Sequence, residues 1–327
     1  MPDAQPTKER KHLMRLAALN DVSRVLVACR LDREGIELMR SAGLQVDYEE
    51  RITQQEFDRR YVNYDAVVIR SNVKARPVGG KGNLRVIVRA GVGLDNVDVE
   101  GFTKLGVKVL NTPESVTRAV AELTVGLFFC LARGIVRYAS ELKQGRWLKS
   151  EAHGIELRGK TVGIIGCGRI GREVARMAHA LGMRVLVNDV IEVPRDFLES
   201  VEGKQVDLLT LLRESDIVTI HTPLDPSTRG LIGERELREM KRTAFLVNMA
   251  RGGVVDETAL KRALREGWIA GAALDVFETE PPTDLELLSL PNLIPTPHMG
   301  AQTHEAQRAA GIEAARLVIR ELLGKSV

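Results

Sequence analysis

TVGIIGCGRIGREVARMAHALG (161–182), running on into MRVLVND (183–189), is the stretch that decides the fold. Gly166, Gly168 and Gly171 form G-x-G-x-x-G directly after a β-type apolar run and at the head of an amphipathic helical pattern. Gly166 permits a tight turn, Gly168 lets the backbone approach a pyrophosphate, and Gly171 lets the helix pack on the strand. The helix N-terminus then offers N–H groups and its positive dipole end to phosphate. With 29 glycines in the chain the spacing alone is weak evidence, so context decides. Asp189 ends the next apolar run, 18 positions after Gly171. A carboxylate there accepts hydrogen bonds from ribose hydroxyls and repels a 2′-phosphate, which selects NAD over NADP. A turn residue after a strand is the plain alternative for Asp189. Strand, turn, helix, strand and acid in that order favour the cofactor role.

The rest of the chain fits around this unit. At about 150 residues per domain, 327 residues imply about two domains. Hydrophobic content of 44% and charged content of 28% suit globular domains with a substantial core. The net charge of +3 comes from interspersed signs, unlike the clustered basic face of a nucleic-acid binder. The basic run at Lys8–His12 reads as a solvated tail within a flexible extension over 1–21. Cys29, Cys130 and Cys167 are odd in number and lack CxxC spacing, so neither a disulfide framework nor a metal site is expected. The charged first 20 residues lack the apolar core of a signal peptide, and the apolar stretch near Val125–Leu131 is too short to span a bilayer. A cytoplasmic, soluble protein without nucleic-acid or membrane partners is expected.

Apolar runs at Val25–Cys29, Leu44–Tyr48, Ala66–Ile69, Val86–Val88 and Val107–Leu110 alternate with helical patterns such as Arg33–Ala42 and Thr53–Tyr61. A second series comprises Thr161–Ile165, Arg184–Asn188, Ile217–Ile220, Ala244–Val247, Ala270–Ala273 and Leu293–Thr296. Such alternation predicts two α/β domains with parallel sheets. Long helices are predicted at Ser115–Arg133, behind Pro113, at Gly134–Trp147, and at about Thr303–Leu323. The first of these is apolar on most faces and suits a domain junction, a subunit interface or a buried core.

Three predicted strands end in polar residues: Arg251, Asp275 with Glu280, and His298. In open α/β sheets ligands bind beyond the carboxyl ends of strands, so these ends suit a shared cleft. Oxidation of an alcohol by NAD moves a hydride and a proton. Histidine is the side chain suited to take that proton near neutrality. A carboxylate on the imidazole stabilises its protonated form, and a guanidinium can clamp a substrate carboxylate through two parallel bonds. Individually each residue also reads as structural: His298 a strand-end residue, Arg251 a turn before Gly252 and Gly253, Glu278 and Glu280 solvated. Their co-occurrence in order favours chemistry.

RAGVGLDNVD (89–98), VLNTP (109–113), AELTVGL (121–127), GCGRIG (166–171), HTPLDPSTRG (221–230), NMARGGVVDE (248–257), GAALDVFETEPP (271–282) and TPHMGAQTHEAQ (296–307) together resemble the D-isomer-specific 2-hydroxyacid dehydrogenases, over about Val22–Val318. The resemblance implies a Rossmann cofactor domain (118–299) inserted in a flavodoxin-like substrate domain (22–117 and 300–327), each a doubly wound parallel sheet. It places a catalytic triad on Arg251, Glu280 and His298. It implies NAD contacts at Arg169 and Ile170 by the pyrophosphate, Asp189 at the ribose, Thr222, Met249, Ala250 and Gly300, and Asp275 on the nicotinamide amide. Gly91, Val92 and Gly93 would offer N–H groups to the substrate carboxylate. Arg70 and Ser71 match the family's Arg-Ser at a strand end, where they would contact substrate; Lys74 and Arg76 read better as surface charges. NTPESVTRAVAEL (111–123) resembles the loop of the family's 3-phosphoglycerate-oxidising branch, although Val116 stands where some of those members carry Asn. The expected reaction is 3-phosphoglycerate to 3-phosphohydroxypyruvate, with glyoxylate or hydroxypyruvate reduction as the alternative. An NAD-sensing corepressor is the alternative from another class, and the lack of low-complexity tails speaks mildly against it. Only 29 residues follow His298, so a serine-responsive regulatory domain is not expected. A homodimer through the helices at 115–133 and 134–147 and the cofactor domain is implied.

Overall fold

The computed structural model describes residues 22–325, so the segment 1–21 lies outside the described residues. The chain divides into two compact units, one of residues up to Val116 together with His304 onward, the other Thr117–Thr303. Both are doubly wound α/β units with wholly parallel sheets, as the alternating pattern predicted.

In the first unit, strands β1 (Arg24–Val27), β2 (Gln45–Tyr48), β3 (Ala66–Ile69), β4 (Val86–Arg89) and β5 (Lys108–Asn111) lie in the order β2-β1-β3-β4-β5, the flavodoxin-like arrangement. Their apolar runs are continuous because helices cover both faces. Val25, Val27, Val68 and Val88 enter one core with Met39, Ala314 and Val318. Leu26, Val67 and Ile87 enter the other, with Phe57, Tyr61 and Phe102. The helix Arg33–Ser41 is capped by Asp32, whose side chain accepts from Glu34 N–H, and it packs against the last helix, His304–Leu323. The two cross where a Cβ on Gly35 would lie 2.3 Å from the Gly311 carbonyl oxygen, so the contact between the two ends of the chain is backbone to backbone.

The second unit begins with the helices Thr117–Arg133 and Ile135–Lys143. Its strands are β6 (Thr161–Ile165), β7 (Arg184–Asn188), β8 (Lys204–Gln205), β9 (Ile217–Ile220), β10 (Phe245–Asn248), β11 (Gly271–Leu274) and β12 (Leu293–Pro295). They lie in the order β12-β11-β10-β9-β6-β7-β8, a Rossmann sheet carrying a seventh strand. The order reverses between β6 and β9. β10 and β11 each start one residue later than the apolar pattern suggests, and β8 was not expected. It is two polar residues pairing with Leu186 and Val187 at the sheet edge, too short to show a period. No single described helix is long and apolar enough to cross a membrane; Thr117–Arg133 and Ile135–Lys143 together have that length and composition but meet at a 65° bend. Most of the first helix's apolar side chains are buried.

Candidate active site

The glycine turn sits at the point where the strand order reverses. Gly166 has φ +89°, and a Cβ there would lie 2.8–2.9 Å from the His221 backbone and Thr222 Cγ2 at the end of β9. Only glycine satisfies both demands. A Cβ on Gly171 would lie 2.1 Å from the Gly166 carbonyl oxygen, so the helix Arg169–Ala180 packs on its own turn. Gly168 differs: a Cβ there would meet nothing within 4 Å. It also precedes the helix Arg169–Ala180 without a side-chain cap.

Asp189 closes the other side. Its Oδ2 accepts from Cys167 N–H at 2.7 Å within the turn, and its Oδ1 from Ile191 N–H at 3.0 Å. Gln205 holds the loop beyond it, accepting from Val193 N–H and donating to the Asp189 and Ile191 carbonyls. Thr222 Oγ1 and His221 Nδ1 are sealed from solvent without a protein partner. Burial pushes the His221 pKa down to about 3, so its ring is neutral, with Nε2 on Thr219 Oγ1 at 3.0 Å. A helix start without a side-chain cap, an open glycine and a carboxylate at the end of the next strand fit a dinucleotide.

The ends of β10, β11 and β12 carry the polar residues. Buried Asn248 organises the turn after β10, accepting from Ala250 N–H and donating to the Arg251 carbonyl. Met249 and Ala250 are buried, and Arg251 folds back so that Nη1 donates to the Ala250 carbonyl at 2.7 Å. His298 Nδ1 and Glu280 Oε2 are 2.8 Å apart, with side-chain exposures of 46% and 39%. That contact leaves Nε2 as the nitrogen able to exchange a proton with a substrate. His298 stands in the left-handed region at φ +49°, a conformation histidine tolerates better than most side chains. Asp275 explains how that backbone is held. Its Oδ1 accepts from Thr296 Oγ1 and Met299 N–H, and its Oδ2 from Gly300 N–H at 2.9 Å. The carboxylate expected to hold a nicotinamide amide is thus already bound to the turn bearing His298. The Glu278 N–H donates to Glu257.

In the first unit, Asn96 donates to the carbonyls of Arg70 and Val73 and fixes the loop carrying Arg70 and exposed Ser71. Arg70 Nη1 donates to Gln307 Oε1 from the last helix. Arg89, at the end of β4, lies over Gly91, where a Cβ would fall 1.5 Å from its Nη1. Burial pushes the Cys29 thiol up to about 12, against the lowering charges of Arg70 and Arg89; Arg89 pairs with Ile69, the residue before Arg70, so both cations stand at the carboxyl ends of β3 and β4. The Gly91 N–H donates to Thr112 Oγ1 at 2.7 Å, and Asn111 Nδ2 donates to the Val92 carbonyl. Gly91 is therefore spent on the loop's own structure. The sequence carries no signal for the placement of Arg89 and Asn248 beyond their membership of RAGVGLDNVD and NMARGGVVDE. Among the described residues, no group of three or more His, Cys, Asp or Glu side chains is disposed to hold a metal ion.

The second unit is thus a Rossmann sheet with the glycine turn after β6, Asp189 at the end of β7 and a histidine–glutamate contact beyond β11 and β12. The family model for the D-isomer specific 2-hydroxyacid dehydrogenase NAD binding domain matches residues 125–300. The chain is 44% identical over 305 residues to a D-3-phosphoglycerate dehydrogenase of Methanocaldococcus jannaschii, covering 92% of this chain and 58% of that protein. It is 43% identical to a hydroxypyruvate reductase of Thermotoga maritima, covering 91% of this chain and 98% of the relative. Among solved structures it is similar to a glyoxylate reductase from Paecilomyes thermophila (TM-score 0.85, 29% identity, 94% and 97% covered). It is also similar to an Aquifex aeolicus D-lactate dehydrogenase complexed with NAD and lactic acid (TM-score 0.80, 28% identity, 92% and 96% covered). The chain belongs to the D-isomer specific 2-hydroxyacid dehydrogenase family, and its second unit is the NAD-binding domain of that family. It spans 58% of the length of the D-3-phosphoglycerate dehydrogenase relatives and nearly all of the hydroxypyruvate reductase.

Replacing Asp189 by Ala removes acceptors worth about 1.5–3 kcal/mol when charged. NAD affinity is expected to fall about tenfold or more while NADP affinity holds or rises, as read by fluorescence titration with both cofactors. Equal losses for both would show that Asp189 does not select the ribose.

Proposed function

We propose that this protein is an NAD-dependent dehydrogenase of D-2-hydroxy acids that converts 3-phosphoglycerate to 3-phosphohydroxypyruvate, the first step of serine biosynthesis. The observation that carries the class is the 2.8 Å contact between His298 Nδ1 and Glu280 Oε2. Bound NAD supplies the acceptor for the hydride from the substrate's C2. His298 Nε2 takes the hydroxyl proton, and the Glu280 carboxylate holds the ring and stabilises the imidazolium that forms. Arg251 binds the substrate carboxylate and polarises the developing carbonyl. Val92 and Gly93 supply backbone donors to the same carboxylate. Arg169, Ile170, Thr222, Met249, Ala250 and Gly300 line the cofactor, and Asp275 adds the nicotinamide amide to the three donors it already accepts, a carboxylate having about four lone-pair sites.

Phosphoglycerate is favoured by Arg70 and Arg89 at the carboxyl ends of the neighbouring strands β3 and β4. Arg70 is half-buried, which lowers its pKa, and Arg30 adds to the lowering; a dianionic phosphate would offset that placement. The second reading, hydroxypyruvate or glyoxylate reduction, is favoured by the near full-length match to a hydroxypyruvate reductase. A corepressor-like NAD-binding role would show no turnover.

We further place the protein in the cytoplasm, where its three free thiols suit a reducing compartment. It acts there without nucleic-acid or membrane partners. We also propose a homodimer through the helix Ile135–Lys143 and its flanks. None of that helix's residues is buried, and Ile135, Val136, Leu142 and Trp147 are exposed, Trp147 by 74%. They adjoin a cleft of about 710 Å³ lined by Leu131, Val136, Tyr138, Phe245 and Leu293, and exposed apolar clusters of this kind mark interfaces.

Steady-state assays with phosphoglycerate, unphosphorylated 2-hydroxy acids and the corresponding oxo acids are expected to show phosphoglycerate preferred with NAD. Inactivity on every acid would sink the dehydrogenase reading. His298→Ala is expected to lower kcat about 10²–10⁴-fold, the usual weight of a general base, with NAD affinity retained. Arg70→Ala is expected to raise KM for phosphoglycerate about tenfold, the loss of a charge-assisted hydrogen bond, and to leave KM for unphosphorylated acids unchanged. Light scattering is expected to give a dimer that Trp147→Glu shifts toward monomer; a monomeric wild type would refute the interface.

A further inference from the structure

Glu280 and His298 are both substantially exposed, so water competes for their hydrogen bond. Holding it requires that the loop bearing Glu280 be fixed. Two contacts outside the loop fix it. The turn after β10 meets it backbone to backbone, since a Cβ on Gly252 would lie 1.8 Å from the Phe277 carbonyl oxygen and 2.4 Å from Glu278 N. Glu257 Oε1 accepts the Glu278 N–H at 2.5 Å. Within the loop, Phe277 N–H donates to Glu280 Oε1 at 3.2 Å and aims the carboxylate.

Glu257 is the first residue of the helix Glu257–Glu266, but it does not cap it. Asp256 does that, accepting from Thr258 and Ala259 N–H. Capping therefore does not account for the Glu257 carboxylate, which reaches instead to the peptide two residues before Glu280. Its position is a costly one. Partial burial raises its pKa, and the carboxylates of Glu278, Asp284 and Asp256 raise it further, while the Glu278 N–H opposes them. The neighbouring cation on its helix, Lys261, is bound to Asp284 and Glu286.

Building on the dehydrogenase reading, we propose that Glu257 is a positioning residue that acts through Glu280 to hold the Glu280–His298 pair in register. It touches neither substrate nor cofactor, and its effect passes through the Glu278 peptide.

The test uses the full chain with NAD and its preferred acid. Misplacing a reacting group by about an ångström costs up to about a hundredfold, so Glu257→Ala is expected to lower kcat about tenfold with NAD affinity within twofold. Glu257→Gln keeps an acceptor oxygen and is expected to restore most of the rate. On a Glu280→Gln background, Glu257→Ala is expected to add less than a twofold loss, as linked residues do in a double-mutant cycle. A wholly structural role would give equal losses on both backgrounds, and that result would overturn the proposal. Amide hydrogen exchange over 275–280 supplies a readout independent of turnover. Faster exchange in Glu257→Ala, but not in Glu257→Gln, supports the proposal, and unchanged exchange refutes it. An inactive wild type would defeat the dehydrogenase reading alone, and the exchange comparison would still decide the role of Glu257.

Discussion

The placement of the candidate base depends on one buried carboxylate. Asp275 is 2% exposed, and a charge so placed is tolerated only if its hydrogen bonds are made. It makes three, all to the segment that leaves β12: Thr296 Oγ1, Met299 N–H and Gly300 N–H. Those bonds span His298 on both sides and hold it at φ +49°, a backbone conformation that costs energy and persists only when its surroundings over-determine it. Asp275 itself is set by the sheet, since its N–H donates to the Asn248 carbonyl at the end of β10. Asn248 in turn shapes the turn bearing Arg251. The polar residues on three strand ends are thus one connected set of hydrogen bonds.

This connectedness follows from parallel strands. Because β9 to β12 all point the same way, their carboxyl ends gather on one edge, and side chains distant in sequence become neighbours there. The cofactor turn after β6 opens on the same edge of the same sheet. Helices on both faces keep the strands apolar, which leaves the chemistry to the loops.

That division explains what was legible beforehand. Strands such as Ala66–Ile69 and Thr161–Ile165, buried on both faces, announce themselves as apolar runs, and their bounds coincide with the pattern. β8 is invisible because two polar residues at a sheet edge carry no period. Arg251, Glu280 and His298 stand out through motif and position. Glu257 and Asn248 do not, because their roles consist of hydrogen bonds to backbone groups whose positions exist only once the loops have folded. For the same reason the sequence does not reveal that the Gly91 N–H is engaged by Thr112.

The three glycines of the fingerprint also differ in what they would conceal. At Gly166 and Gly171 an added methyl group collides with backbone, so a lesion there would show up as a misfolded protein. At Gly168 the methyl group would enter open space. A chain altered at that position can keep its melting curve and its spectra while the approach of a pyrophosphate to the helix is blocked. In a collection of natural variants sorted by abundance or thermal stability, such a change would be filed as harmless, and only a ligand titration would reveal it.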